Sequence, residues 1–368
     1  MSVPFETAGG HRDKIFHGKK TSDGRGTVCK VATAWEAFWY LGMTVSTYGE
    51  EYIQKSVIPL AAADKKDHFI QLLKALHKFK EFVPEGSSFK YPENFVVIEG
   101  AQVSKRIEAD RSIIKDWIDL HDLSKKDFIS ETYVFLYNEL MALRVYDDRY
   151  DKTSWGVGLI DQTGGIEDAC VMDVKLGCYR TSPLTPEAKA ATAEEKDAGK
   201  IMRRCGARLV WLKRFIKEGG ALVPEVITSK NNHTIEKETE FKNILYAFFS
   251  SFGKIEETGN VDRSDVEVKG PNPADYPEEE KKKCQSLRQR AVKPVDDLLN
   301  FYENTPEGKF LIENFAFVSS SLLFVYDAKN PENCDVKLID LGRSGPGFLN
   351  FDEKKLGFIQ GLTLYPSI

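Results

Sequence analysis

In the segment VMDVKLG, an aspartate and a lysine, Asp173 and Lys175, stand two residues apart inside an otherwise apolar run. Residues at that spacing in an extended chain point to the same side. Burying both charges on one face is costly unless they are paired or turned on a ligand. A carboxylate and an ammonium so placed can meet a nucleotide and an anionic acceptor together, and they can equally form a strand-edge salt bridge. A second candidate is LIDLGRS, residues 338–344, where Asp340 ends a strand before a turn containing Gly342. A hard divalent cation takes carboxylate oxygens and nucleotide phosphates in such a setting, although a D-x-G triplet taken alone is usually a simple turn. The third is VCKV, whose Lys30 stands six residues before Glu36. A strand lysine held by a helix glutamate is one way to neutralise nucleotide phosphates; in isolation the pair reads as a surface lysine and a helix-start glutamate.

Several elements must position these residues. Short strands are expected at Lys14–His17 and Gly26–Val31, around the turn-rich GKKTSDGRG, with a helix from Thr33 on which Trp35 and Trp39 are core residues. Phe69, Leu72, Leu73, Leu76 and Phe79 recur at helical spacing and predict a helix over 64–82. A buried strand fits 94–99, and amphipathic helices fit 106–120 and 131–143. Strands are expected at 155–160 and through ACVMDVKLG. A helix capped by Thr185 with Pro186 at its first position follows, then a strand over 205–212 and a helix over 236–252. Residues 253–283 shift toward Gly, Pro and charge and read as a flexible insert. Two strands, 318–327 and 335–340, close the pattern. Strands and helices mix without βαβ alternation, which defines an α+β chain.

The bulk composition sets outer limits. With 368 residues, 42% of them hydrophobic and 29% charged, the chain can bury a sizeable core. A formal charge of −5 argues against a dedicated nucleic-acid binder, while leaving room for a local basic pocket. The N-terminal stretch lacks the apolar core of a signal peptide, and 315–326 is too short to span a bilayer. Six scattered cysteines lack zinc-site spacing and fit reduced thiols in a cytoplasmic or nuclear protein. His68, His77 and His121 have no metal-ligand spacing, and the HRD triplet at 11–13 is discounted as a catalytic loop.

Taken in chain order, these signals resemble the inositol polyphosphate kinase family. Its hallmark is P-x-x-x-D-x-K-x-G; Asp173, Lys175 and Gly177 match, with Ala169 in place of the proline. SSLLFVYD (320–327), LIDLGRS and LGFIQGLTLY (356–365) resemble later family segments, and AGGHRDK with Glu36 and Tyr40 resembles its opening. The resemblance covers 155–212 and 315–368 well, is looser over 8–41, and is absent from most of 42–150 and 253–300.

The resemblance implies a two-lobed, protein-kinase-like fold with ATP and Mg²⁺ between an N-terminal lobe (1–161, with a helical insert) and a C-terminal catalytic lobe (162–368). Asp173 would hydrogen-bond the ribose, Lys175 would contact the acceptor or the transferring phosphoryl, Asp340 would ligate Mg²⁺, and Lys30 would contact the ATP phosphates. Glu36 would pair with Lys30, although Glu131, in ETYVFLYNEL, also resembles the family's helix glutamate. LIDQTGG resembles the hinge, so Ile160 and Gln162 would offer backbone groups to adenine beside Asp161. Ser320 and Ser321 would flank the cleft.

A phosphate-rich substrate calls for clustered cations. Lys189, Lys196, Lys200 and Arg203 share one face if 185–204 is a continuous helix, and Arg180 lies just past the D-x-K-x-G strand. Periodicity alone favours a solvated basic face; the resemblance makes these residues substrate contacts. The expected activity is phosphorylation of an inositol tris- or tetrakisphosphate hydroxyl. The alternatives are pyrophosphate formation on the hexakisphosphate, and an inactive inositol-phosphate-binding adaptor.

Overall fold

The computed structural model describes residues 15–17, 20–21, 24–90, 126–143, 155–179, 181, 185–197, 200–227, 235, 237–258, 267–346 and 352–364. Its architecture is α+β, built around two antiparallel sheets. The expected strand at 94–99, the helix at 106–120, His121, Arg180 and the HRD triplet lie outside the described residues.

The first part contains β1 (Ile15–His17), β2 (Thr27–Ala32), helix α1 (Ala34–Val45), helix α2 (Lys66–Phe79), β3 (Gly86–Lys90), helix α3 (Lys126–Ala142) and β4 (Trp155–Ile160). The strands make a four-stranded sheet in the order β1-β2-β4-β3. Along β2, Thr27, Cys29 and Val31 are buried while Val28 and Lys30 are half-buried, so the period-two alternation puts Lys30 on the less buried face. Thr33 caps α1, accepting a hydrogen bond from the Glu36 N–H at 3.3 Å. Phe69, Leu72, Leu73, Leu76 and Phe79 are all buried along α2, as their spacing requires.

The remainder comprises β5 (Ala169–Leu176), α4 (Glu187–Asp197), α5 (Ile201–Cys205), β6 (Ala207–Glu218), β7 (Ala221–Ile227), α6 (Glu238–Phe248), β8 (Glu256–Thr258), β9 (Glu267–Lys269), α7 (Glu278–Asn304), α8 (Pro306–Asn314), β10 (Phe315–Ala316), β11 (Ser321–Asp327), β12 (Cys334–Ile339), β13 (Gly345–Pro346) and α9 (Asp352–Thr363). The main sheet runs β12-β11-β5-β6-β7. Ser321 is opposite Lys175 on one side and Ile339 on the other. That row of three residues places Asp340, one residue past Ile339, at the same end of the sheet as Lys175.

One core passes from the N-terminal helices into the C-terminal part. The ring of Trp39 lies 5.0 Å from that of Phe315, and Phe79 lies 5.6 Å from Phe317. Trp35 and Trp39 are both buried. His68 and His77 are tied to Tyr137 and to the Ser46 carbonyl.

Among its described residues, the segment read as a flexible insert contains β8, β9 and the first residues of α7. Within 253–283, Val268 and Tyr276 are buried, and Glu280 accepts hydrogen bonds from Ser250 Oγ (2.8 Å) and the Ser251 N–H (2.7 Å). Residues 278–283 open the long helix α7, whose EEEKKK start masks an apolar stripe of Cys284, Leu287, Ala291, Val295 and Leu298. Strand β6 starts at Ala207 rather than 205, because Gly206 ends α5 in the left-handed conformation (φ 67°). Ala190 N–H donates to the Pro186 carbonyl at 2.9 Å, so Pro186 occupies the capping position expected of Thr185.

Candidate active site

Asp340 follows β12 with left-handed backbone (φ 63°, ψ 54°), a conformation aspartate tolerates better than most residues. Its Oδ1 accepts from Lys30 Nζ at 2.5 Å and its Oδ2 faces Lys175 Nζ at 3.4 Å. Lys30 also donates to Glu36 Oε1 at 2.8 Å. Lys175 donates to the Ser319 carbonyl at 3.2 Å, and Ser319 is itself left-handed (φ 56°). Glu36, buried on α1, is thus the glutamate paired with Lys30; Glu131 is exposed on α3.

Burial opposes the charge on Asp340, but Lys30 and Lys175 outweigh it and hold the carboxyl well below the usual carboxylate range. Burial likewise opposes the Lys30 ammonium, and Asp340 and Glu36 more than compensate, raising it above the ordinary lysine value. Glu36 is pushed up by burial beyond what Lys30 offsets. Asp173 is 3% exposed, and its Oδ1 has no hydrogen-bond partner. Burial pushes its pKa up to about 6; Lys175 opposes the rise and Asp340 adds to it.

Asp173 and Lys175 share their sheet face with an apolar cluster of Ala169, Val171, Val210, Trp211 and Val325. A bulge between Asp173 and Val174 sets Trp211 opposite Asp173, while Lys175 pairs with Arg208. Arg208 exerts a field on Asp173 that favours its charged form. Arg208 was not among the expected site residues; nothing local in CGARLVWL marks it, and its pairing with Lys175 across the sheet does.

The expected hinge is internally bonded. Asp161 Oδ1 accepts from the Thr163 N–H (2.9 Å) and Oγ1 (2.8 Å), and its own N–H donates to the Gly26 carbonyl at 2.9 Å. The Ile160 N–H is taken by the Glu85 carbonyl at 2.8 Å, and the Ile160 carbonyl accepts from Gln162 Nε2 at 3.0 Å. The backbone groups expected to reach adenine from Ile160 are therefore engaged within the protein.

The basic residues do not lie on one helix. α4 ends at Asp197, Lys200 is extended (φ −72°, ψ 153°), and α5 starts afresh at Ile201. Lys189 is exposed on α4. The side chain of Lys196 lies outside the described residues. Arg203 stacks its guanidinium 4.1 Å from the Tyr179 ring, just past the end of β5. Among the described residues no three His, Cys, Asp or Glu side chains gather to hold a metal ion. All six cysteines are free thiols. No helix of the described residues is long and apolar enough to cross a membrane.

The sequence matches the family model for inositol polyphosphate kinase over residues 157–268 and 273–363, together more than half of the chain. The chain belongs to the inositol polyphosphate kinase family. Membership supports inositol polyphosphate kinase activity in general terms. A search of curated proteins found no match. An inositol phosphate multikinase from S. cerevisiae, solved with ADP and Mn²⁺, is similar with a TM-score of 0.38 and 14% identity, over 58% of this chain and 83% of that one. A second inositol phosphate multikinase structure has a TM-score of 0.39 and 17% identity, over 57% of this chain and 84% of the other.

Proposed function

We propose that this protein is an ATP- and Mg²⁺-dependent kinase that phosphorylates a hydroxyl of an inositol tris- or tetrakisphosphate. The observation that carries the reading is the convergence of Lys30 and Lys175 on Asp340, beside the buried Asp173 whose Oδ1 lacks a partner. Phosphoryl transfer needs positioning and charge stabilisation more than covalent chemistry, and this cluster has the groups for both.

In this reading adenine lies between the two lobes against the apolar face of Val171, Val210, Trp211 and Val325, and Asp173 Oδ1 accepts from a ribose hydroxyl. Lys30 neutralises the nucleotide phosphates, with Glu36 fixing its position. Lys175 faces the phosphoryl group and the acceptor, with Arg208 and Arg203 adding positive charge nearby. Asp340 fits a magnesium site: a single charged carboxylate suits a cation that takes its other oxygens from phosphates and water. Bound there, Mg²⁺ would neutralise charge on those phosphates.

The test is an ATP/Mg²⁺ turnover assay on a panel from inositol trisphosphates to hexakisphosphate, with products resolved by charge. A tetrakis- or pentakisphosphate product supports the proposal. A pyrophosphate product from hexakisphosphate reassigns the substrate, and nucleotide binding without any turnover replaces the kinase by an adaptor.

A further inference from the structure

We infer that Thr33 is a positioning residue for Asp340, through a closed ring of contacts that ties helix α1 to the 340–344 turn. The inference rests on the kinase reading above and concerns how its acidic centre is held.

The Thr33 hydroxyl has one hydrogen to give, and it goes to the Gly342 carbonyl at 3.0 Å. The same oxygen accepts from the Glu36 N–H at 3.3 Å. Glu36 accepts from Lys30 at 2.8 Å, and Lys30 donates to Asp340 at 2.5 Å, two residues before Gly342. The ring therefore runs from Thr33 through Glu36, Lys30 and Asp340 and back by Gly342 to Thr33. One hydroxyl group joins the start of α1 to the turn that follows β12.

Two observations show that the turn is seated on α1 rather than resting near it. A Cβ added at Gly342 would lie 3.2 Å from Glu36 Oε2 and 3.3 Å from Thr33 Oγ1, tight enough that one of them would have to give way slightly. Two residues on, the Ser344 carbonyl accepts from the buried indole N–H of Trp39 at 2.9 Å. The turn needs such anchoring because Asp340 is left-handed, which L-residues adopt at a cost and keep only when their surroundings over-determine it. The β12 ladder ends at Ile339, so hydrogen bonding within the sheet does not reach Asp340. Thr33 is where the start of the helix that carries Glu36 bonds the turn that carries Asp340.

The experiment compares Thr33→Val, which keeps the shape and deletes the hydroxyl, with Thr33→Ser, which keeps the hydroxyl. All assays run well below each variant's unfolding temperature, which removes the effect of the lost helix cap. Thr33→Val is expected to lower kcat about tenfold or more and to leave the KM for inositol phosphate near wild type. It should also weaken ADP·Mg²⁺ binding measured by calorimetry, and Thr33→Ser should restore both. Gly342→Ala strikes the same contact from the other side, so combining it with Thr33→Val should cost no more than the worse single change.

Full kcat and full ADP affinity in Thr33→Val overturn the inference, as do multiplicative losses in the double variant or a Thr33→Ser as impaired as the valine. If the wild type turns over no inositol phosphate, the kinase reading falls separately. Calorimetry then decides the Thr33 role, with equal ADP affinity in wild type and Thr33→Val counting against it. A wild type that binds no ADP overturns both.

Discussion

Lys30 and Asp340, 310 residues apart in the chain, meet at 2.5 Å, and the same carboxylate faces Lys175 at 3.4 Å. One anion thus draws together a cation from each of the two sheets. Glu36 supplies the second carboxylate on Lys30 from helix α1. Removing either charge leaves its partners uncompensated in a largely buried setting, which sets the direction of the predictions below.

Lys30→Met should lower kcat/KM for ATP by at least about a hundredfold, since it deletes a cation aimed at developing phosphate charge. Lys30→Arg should recover little, because the planar guanidinium cannot replace a compact ammonium between Glu36 and Asp340. Steady-state kinetics at varied ATP decides; near-normal kcat/KM in the methionine variant contradicts the role given to Lys30.

Asp340→Asn should abolish turnover and leave the circular dichroism spectrum unchanged. The folded-state pKa of Asp340 is depressed, chiefly by Lys30 against the opposing effect of burial. Its contribution to stability is therefore present above the unfolded-state value of about 3.9 and is lost as pH falls through the lower folded-state value. The difference in urea midpoint between wild type and variant should accordingly shrink as the solution is taken below about pH 4. A difference that grows instead would contradict the charge assignment.

Asp173 behaves in the opposite sense. Its pKa is raised by burial to about 6, so its ionised form costs stability above the unfolded-state value, and the carboxyl becomes protonated as pH drops below about 6. If the ionised form binds ribose, kcat/KM for ATP in the wild type should fall with pH below that point. Asp173→Asn should be severely impaired at every pH, yet melt at or above the wild-type temperature at pH 7.5. A variant both inactive and clearly destabilised there would mark Asp173 as a structural group instead.

Arg214→Leu should destabilise the protein by about 3–5 kcal/mol, the usual effect of breaking a buried ion pair from one side. Arg214 is fully buried, donates to Glu225 Oε2 at 2.6 Å, and also bonds the Ala247, Ser250 and Gly253 carbonyls. Glu225 Oε1 in turn accepts from the Ile255 N–H at 2.8 Å, so the loss extends into the segment after α6. Urea denaturation monitored by tryptophan fluorescence measures it; a change under about 1 kcal/mol contradicts the network's role.

Close packing behind the D-x-K-x-G strand gives another stability test. Gly206 is left-handed, and a Cβ there would meet the Gly357 carbonyl at 2.5 Å and the Gly361 nitrogen at 2.6 Å. Gly206→Ala should lower the melting temperature by several degrees or more, since strain and overpacking each cost on the order of 1 kcal/mol or above. An unchanged melting temperature would show that α9 does not dock there.

Legibility in the sequence followed the range of the interaction. The apolar face of α2 and the start of α1 near Thr33 were readable because residues a few positions apart decide them. Helix α7 was not, because its first turns are Glu and Lys, and the stripe from Cys284 to Leu298 emerges only beyond them. The single basic helix face drawn through Lys189 and Arg203 failed at Lys200, whose extended backbone separates α4 from α5. Arg208 was overlooked because nothing local distinguishes it; its cross-strand pairing with Lys175 gives it meaning.

By itself the sequence determined which groups could act together within one element. Strand periodicity puts Asp173 and Lys175 on the same face whatever the rest of the chain does. Only the tertiary structure decided which distant groups meet. The register that aligns Lys175, Ser321 and Ile339, the left-handed turn at Asp340 and the seating of that turn on α1 bring Lys30 and Lys175 to one carboxylate. Coulomb attraction and hydrogen bonding act over a few ångströms of space, and hundreds of residues of intervening chain are invisible to them.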